Sequence, residues 1–362
     1  MRIAYNISQP PAQERPDPRT IVFGRTFTPH MFIAEYKAGT WQDARIAPVQ
    51  HFSLHPAALV FHYAQAIFEG LKAFEQPDGS VALFRPEMNA RRFNASARRM
   101  AMPCVDEELF LDATVGLVQT DRASVPPFPG SLYIRPAMIA TEACLGVKSS
   151  SEYTFFILTL PAGLYFPEIA GGAGAIEVLV AESVVRASPG GTGNVKAAAN
   201  YAVTLQVISQ AKSLNCAQVL FLDQSPLHHV EEMGGMNIMF IEDGALVTPP
   251  LTQTILAGVT RDTVLHLAKD LQLTVQERAY GLEEMVDGLR MGRITEAMAC
   301  GTAAAITGIR SFHFEDGNVL PIGAACPGPV TNALFHRLQD IQYGRLPDKY
   351  GWVVPVQGVR TA

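Results

Sequence analysis

No two of the five cysteines stand in a C-x-x-C spacing. Cys104, Cys144, Cys216, Cys300 and Cys326 are odd in number and far apart. That excludes a zinc or disulfide framework and reads as free thiols in a reducing cytoplasm. No apolar run is long enough to span a bilayer; the longest, "FFILTLPAGLYF", is short and contains Pro161. The first twenty residues lack an apolar segment of the secretory kind, so no signal peptide is expected. Positive charge is not in excess. The net charge is -6, which helps solubility and argues against nucleic acid as a partner. Repeats and low-complexity tracts are absent. What is present is 362 residues, 48% hydrophobic and 17% charged, an ordinary globular composition long enough for about two domains. A cytoplasmic protein free of membranes is expected.

The pattern along the chain is mixed α/β in two parts, strand-rich first. Pro10, Pro11, Pro16 and Pro18 suggest an extended N-terminal arm. "TIVFGRTF", "HMFIAEYKAG" and "LKAFEQPDGSVALFR" read as strands, the last as a hairpin around Asp78-Gly79. Pro86 opens a helix, "PEMNARRFNASARRM". "SLYIRPAMIATE" and "YTFFILTLPAG" are two more expected strands. "LYFPEIAGGAGA", rich in Gly and Pro, is the expected linker, which divides the chain into a smaller domain (1–164), a connection (165–175) and a larger domain (176–362). In the second part "IEVLVAES", "AQVLFLD", "HHVEEM", "MNIMFIEDGALVTP" and "LTVQER" read as strands. "ANYAVTLQVISQAKSL", "TRDTVLHLAKDL" and "ITEAMAC" read as helices.

One lysine stands out. Lys196, in "GGTGNVKAAANYA", is the only charged residue between Ala187 and Ala211. An ordinary lysine there would lay its stem on apolar surface and keep its head in water. A desolvated amine would instead become a nucleophile towards carbonyls. The glycine loop before it fits no nucleotide motif. A P-loop needs Gly-Lys-Ser/Thr, but Lys196 is three residues past Gly193 and Ala197 follows it. In a G-x-G-x-x-G reading, Lys196 takes the place of the third glycine.

A lysine that binds pyridoxal phosphate requires four further parts: a carboxylate for the pyridine nitrogen, a phosphate cup, a hydroxyl for the ring oxygen and a substrate pocket. "ILAGVTRDTVLHL" puts Gly258, Val259 and Thr260 at the start of a helix, where free N–H groups attract an anion. Thr260 serves equally as a plain N-cap. "CGTAAAITG" around Thr302 is a second small-residue turn with the same two readings. "HHVEEMGGMN" carries Glu231 and Glu232; on a strand, one of them points inward.

Together these segments resemble the branched-chain amino acid aminotransferases, pyridoxal-phosphate enzymes of fold type IV. The resemblance runs from "PDPRTIVFGRTFTPHM" to "DKYGWVVPV". It includes "LHPAALVFHYAQAIFEGLKAF", "LFRPEMNARRF", "SLYIRP", "GGTGNVKAAANYA", "VEEMGGMN", "TILAGVTRD" and "GTAA", in the family's order. It implies a smaller N-terminal α/β domain and a larger barrel-like α/β domain. It also implies exchange of the amino group between L-leucine, L-isoleucine or L-valine and 2-oxoglutarate by a ping-pong mechanism. By resemblance, Lys196 is the Schiff-base lysine and the base that moves the substrate proton. Glu232, not Glu231, holds the pyridine nitrogen. Arg92 grips the phosphate with Val259, Thr260 and Thr302; helical periodicity does not choose between Arg91 and Arg92. Tyr201 meets the ring hydroxyl. Tyr133 and Arg135 face substrate, as do Thr302 and Ala303. Phe23, Tyr63, Phe68 and Tyr165 form aromatic walls, and Leu145 and Val147 reach in from the second subunit of a homodimer. Without the resemblance these six, from Phe23 to Val147, read as core residues. An ion pair with Glu142 is the competing reading of Arg135.

Departures from the family are small. "KAAANYA" has alanines where glycines are common, and Ala257 stands where proline is usual. "GTAAAITGI" lacks the C-x-x-C thiol switch of similar mammalian enzymes, so no redox control is expected. Two other readings remain: a D-amino acid aminotransferase, and a binding protein that kept the fold and lost turnover. The second predicts a missing lysine or acid, and neither is missing.

Overall fold

The structure is a computed structural model that describes residues 1–7, 15–166 and 171–356. Pro10 and Pro11 of the expected arm, and residues 167–170 of the expected linker, lie outside the described residues. The described chain forms two compact units. The first comprises the described residues within 1–165, 196–199 and 341–362; the second comprises the described residues within 166–195 and 200–340.

In chain order the first part contains β1 (Ala4–Tyr5), β2 (His30–Lys37), β3 (Thr40–Pro48), α1 (Leu59–Tyr63), β4 (Ala66–Phe68), β5 (Leu71–Glu75), β6 (Val81–Phe84), α2 (Pro86–Arg99), α3 (Glu107–Thr120), β7 (Ser131–Ala140) and β8 (Tyr153–Ala162). The second part contains β9 (Gly174–Ala181), α4 (Ala199–Ala202), α5 (Leu205–Ser213), β10 (Gln218–Leu222), β11 (Val230–Met233), β12 (Asn237–Glu242), β13 (Ala245–Thr248), α6 (Val259–Asp270), β14 (Val275–Glu277), α7 (Leu282–Arg290), β15 (Ile294–Gly301), β16 (Ala305–His313), β17 (Val319–Pro321), α8 (Pro329–Gln342) and β18 (Val353–Pro355). The strands make two sheets. One runs β1-β3-β2-β8-β7-β5-β6-β18 with β4 on β7, and the other runs β11-β10-β9-β16-β15-β12-β13-β14 with β17 on β16. The mixed α/β class read from the sequence is the class observed.

In the first unit α2 and α3 cover one face of the sheet, and Phe93, Phe110 and Phe155 meet there in a cluster. Asp106 starts α3 by accepting from the N–H groups of Glu108 and Leu109. Pro86 sits in the first turn of α2, as its fixed φ favours. The hairpin β5–β6 turns where expected, with Gly79 at a φ of +79°. In the second unit the core is built on β9, β10, β12, β15 and β16, with Phe240, Tyr280 and Phe312 at its centre.

Three expectations fail. "TIVFGRTF" is not a strand: the Arg25 N–H donates to the Val22 carbonyl and Gly24 takes a φ of +79°, so Val22–Arg25 is a turn with Phe23 near its tip. "ITEAMAC" is not a helix but β15, paired on both sides by β12 and β16. Its Ala and Met residues favour helix, but an almost wholly buried segment between two strands obeys its neighbours rather than propensity. The long helix expected from Ala199 is interrupted after Ala202 and resumes at Leu205. The elements β1, β3, α1, β4, α3, α7, β16, β17, α8 and β18 were not expected at all.

Candidate functional site

In the first unit, Lys196 is held by its backbone. Its N–H donates to Ser96 Oγ at 3.0 Å, and its carbonyl accepts from the Phe68 N–H at 3.1 Å. The Ala198 N–H donates to the Ala66 carbonyl at 2.9 Å, so the lysine segment lies antiparallel against β4. The lysine is thus anchored within rigid structure while its Nζ stands 4.9 Å from the centre of the Phe68 ring. The other side of this arrangement comes from α2. Asn89, Arg92 and Ser96, spaced by one and two helical turns, share one face. Arg92 grips Glu69 with both ends of its fork, Nε to Oε1 at 2.7 Å and Nη2 to Oε2 at 2.8 Å. Asn89 Nδ2 adds a bond to Oε2 at 2.7 Å. Arg91, by contrast, is exposed. Glu69 is fully buried. Burial alone would raise its carboxyl. The charges of Arg92 and Lys196, with hydrogen bonds from Arg92 and Asn89, outweigh that and hold it below the usual carboxylate range.

Phe68 also carries a second cation. The Arg135 guanidinium lies 4.7 Å from its ring centre and 5.4 Å from that of Tyr133. Tyr133 and Arg135, two apart on β7, face the same side. Arg135 donates to the Glu69 carbonyl at 2.9 Å and to the Tyr133 hydroxyl at 3.0 Å. Both acceptors are neutral. Glu142 instead pairs with Lys148 and accepts from Ser151, so the ion pair proposed as an alternative for Arg135 does not form. The Phe23 turn closes this wall, with its ring edge-on to Tyr133 at 5.0 Å and to Tyr165 at 5.4 Å. Gly70 is required here: a Cβ would come within 2.2 Å of the Tyr133 hydroxyl.

Tyr63, Leu145 and Val147 are all exposed. The Tyr63 hydroxyl donates to the Leu145 carbonyl, and Leu145 and Val147 are 63% and 86% exposed. The expectation that these residues are core without the family arrangement fails, and Phe61 beside them is also exposed.

The second unit holds the acids. Glu231 and Glu232 are both buried, which corrects the expectation that one of them points inward. The segment at 254–256 reaches both: the Thr254 hydroxyl donates to Glu231 Oε1 and the Leu256 N–H donates to Glu232 Oε1 at 3.2 Å. Glu232 also accepts from Asn237 Nδ2 at 2.9 Å and meets Arg186 Nη2 at 2.6 Å. Three positive or polar partners thus meet its charge. Glu231 differs. Burial pushes its carboxyl up, only partly offset by Thr254 and Arg186, and its Oε2 has no hydrogen-bond partner among the described residues.

Arg186 also donates to the carbonyls of Gly193 and Thr254. Gly193 has no room for a side chain, since a Cβ would fall 2.5 Å from that of Ala187 and 2.7 Å from the Thr254 carbonyl. Asn200 ties down the rest of the loop by donating to the carbonyls of Thr192 and Val195. Asn237 links Glu232 to α6: its Nδ2 also donates to the Leu256 carbonyl, and a Cβ on Gly258 would meet its Oδ1 at 2.1 Å. Gly258 is the N-cap of α6 and offers no side chain to the first turn. Thr260 is therefore the second helical residue and not the cap. Uncapped N–H groups in this first turn suit an anion such as phosphate. Tyr201, on α4, has its ring 3.9 Å from where a Cβ on Gly235 would lie, and Gly301 packs against Gly235 and Met236. Thr302 and Ala303 form the turn between β15 and β16. Sequence reasoning missed Glu69, Arg186, Ser96 and Asn237. A glutamate inside the apolar run "AIFEGLKAF" was the available signal for the first of these.

Residues 66–312 match the model of the amino-transferase class IV family. The chain is 44% identical over 334 residues to a probable branched-chain-amino-acid aminotransferase of Streptomyces coelicolor, covering 91% of each. It is 41% identical over 346 residues to branched-chain-amino-acid transaminase 1 of Bacillus subtilis, covering 95% of this chain and 96% of that one. Among solved structures it resembles the branched-chain amino acid aminotransferase of Escherichia coli, with a TM-score of 0.76 at 25% identity over 91% of this chain and all of that one. It also resembles the pyridoxal-phosphate form of the Thermobaculum terrenum enzyme, with a TM-score of 0.74 at 26% identity over 92% of this chain and 99% of that one.

Proposed function

The chain belongs to the class IV aminotransferases, and from that membership we propose how its residues divide the work. The protein is a pyridoxal-phosphate-dependent branched-chain amino acid transaminase. It moves the amino group reversibly between L-leucine, L-isoleucine or L-valine and 2-oxoglutarate by a ping-pong mechanism. Pyridoxal phosphate supplies the electron sink that makes the substrate Cα–H acidic and carries the amino group between the two halves of the reaction. The donor set suits that cofactor: an anchored lysine, a carboxylate ringed by donors, and a helix N-terminus without a side-chain cap.

In this reading Lys196 would hold the cofactor, and its amine would be the base that moves the substrate Cα proton. Glu232 keeps the pyridine nitrogen protonated, and Tyr201 meets the ring hydroxyl. Arg92, the first-turn N–H groups at Val259 and Thr260, and Thr302 hold the phosphate. Thr302 and Ala303 face the substrate carboxylate. Phe23, Phe68, Tyr133 and Tyr165 bury the branched side chain at about 0.8 kcal/mol per methylene, so alanine is a far poorer donor than leucine. Small amino and oxo acids are the only partners proposed besides a second copy of the chain. No helix among the described residues is long and apolar enough to cross a membrane, and we place the protein in the cytoplasm.

One observation carries the two-substrate reading. Arg135 is positioned by two neutral acceptors and stacked on two aromatic rings, with no carboxylate partner among the described residues. Its charge is then available for the γ-carboxylate of glutamate, while its flat face tolerates leucine. Arg135→Met is expected to slow the half-reaction with glutamate or 2-oxoglutarate by roughly ten- to hundredfold, the scale of a lost charged hydrogen bond. The half-reaction with leucine should change much less. Single-turnover rates for each half check this, and equal losses would make Arg135 scaffold.

The exposed apolar side chains of Phe61, Leu145 and Val147 support a homodimer in which Leu145 and Val147 complete the partner's pocket, with Tyr63 an aromatic wall of its own. Light scattering at assay concentration should give twice the chain mass. An active monomer would contradict this arrangement.

A further inference from the structure

Glu69 is a buried carboxylate in the first unit that touches a group assigned to an anion, Arg92. Its side chain has no solvent exposure, and it receives both ends of the Arg92 fork, at 2.7 and 2.8 Å. Asn89 and the Gly70 N–H complete its shell, at 2.7 and 3.1 Å. Its backbone carbonyl accepts from Arg135 at 2.9 Å. The Lys196 charge joins Arg92 in holding the Glu69 carboxyl below its usual range. Two cations, Arg92 and Lys196, therefore act on this buried carboxylate, while Arg135 is held by its neutral carbonyl. A buried charge without a partner is strongly destabilising, so these cations need an anion whether or not a ligand is bound.

We propose that Glu69 is an internal counter-ion, a positioning residue that balances Arg92 and Lys196 in the apoprotein and so sets how tightly the anionic cofactor is held. The inference rests on the reading above that Arg92 grips the cofactor phosphate. Two effects of Glu69 on phosphate oppose each other. By orienting the Arg92 fork it favours binding; by its negative charge it opposes binding. Glu69→Gln separates them. The amide keeps an oxygen for Arg92, and Asn89 and Gly70 remain in place, so much of the orientation survives. The whole charge is lost. In the variant, phosphate supplies a negative charge in place of the one removed from Glu69, and binding and stability become more strongly linked.

The test uses full-length protein stripped of cofactor. Affinity for inorganic phosphate and for pyridoxal phosphate is measured by calorimetry, and thermal unfolding is followed with and without saturating pyridoxal phosphate. Glu69→Gln is expected to lower the melting temperature of the apoprotein by several degrees more than that of the loaded protein. Both phosphate ligands should bind about tenfold tighter, the scale of one uncompensated charge in a partly screened site. A residue with a merely structural role would lower both melting temperatures alike and would not tighten phosphate. Weaker phosphate binding would make Glu69 an orienting group and overturn the proposal, as would no change. Arg92→Met separates the underlying reading. If that variant binds phosphate as well as the unaltered protein, the assignment of Arg92 fails and the inference falls with it. Should Glu69→Gln not fold, the double variant Glu69→Gln, Arg92→Met removes the cation together with the anion. It is expected to recover folding without recovering phosphate binding; failure of both variants to fold would overturn the counter-ion role.

Discussion

Lys196→Ala is expected to lose turnover by at least about a thousandfold. General acid–base catalysis by one placed group is worth roughly 10²–10⁴-fold, and here the same side chain also anchors the cofactor. The backbone of the segment explains why no neighbour can substitute. Hydrogen bonds to Ser96, Phe68 and Ala66 fix residues 196–198. Lys72, on β5, is a second lysine of this unit, and burial lowers its amine to about 8, but it lies on a different strand from the anchored segment. The variant should still fold, because those anchoring bonds are made by main-chain groups that alanine retains. Steady-state rates with leucine and 2-oxoglutarate, together with a melting curve, separate lost chemistry from lost structure. Turnover within tenfold of the unaltered protein would remove Lys196 from the mechanism.

Glu232→Gln should keep the cofactor and lose about a hundredfold or more in rate, equivalent to roughly 2.7 kcal/mol. An amide cannot balance a protonated pyridine nitrogen. It also turns an NH₂ group towards donors, since Asn237, Leu256 and Arg186 all present N–H groups to the carboxylate. Glu231→Gln should stay within about threefold in rate on the same scale. Burial already pushes the Glu231 carboxyl towards its neutral form, and one of its oxygens has no partner among the described residues. Making that group permanently neutral removes little. Rates of both variants, with cofactor content measured by absorbance, check the pair. The reverse ranking would reassign the two acids.

Lys196 was legible because isolation from other charges is a local property of the chain, and the α6 N-terminus because helix starts follow local rules. The choice between Glu231 and Glu232 was not legible from alternation. A strand covered on both faces hides both residues, and period two then says nothing about which faces a ligand. Arg92 and Arg91 are adjacent on a helix, and only the buried Glu69, 23 residues upstream, distinguishes them. Arg186 escaped notice for the same reason, since its partner Glu232 lies on a strand beyond α5. Long-range pairings of this kind leave no periodic trace. The misread "ITEAMAC" and "TIVFGRTF" segments show the complementary failure: propensity and apolar content were right as averages, but sheet pairing decided the first and a glycine at positive φ decided the second. Leu145 and Val147 read as core from their apolar side chains alone, and their exposure is a further outcome that local spacing did not give.

The central claim is that this chain takes an amino group from branched-chain L-amino acids through pyridoxal phosphate on Lys196. The most direct measurement is a single half-reaction: cofactor-loaded protein is mixed with one amino acid and no acceptor while its visible absorption is followed. L-leucine, L-isoleucine and L-valine should each bleach the pyridoxal band and release one equivalent of the matching oxo acid per subunit, and 2-oxoglutarate should restore the band. Borohydride added before the amino acid should block the change and leave the cofactor on the peptide that contains Lys196. A band that responds to D-alanine and not to L-leucine, or a label on another lysine, would contradict the account.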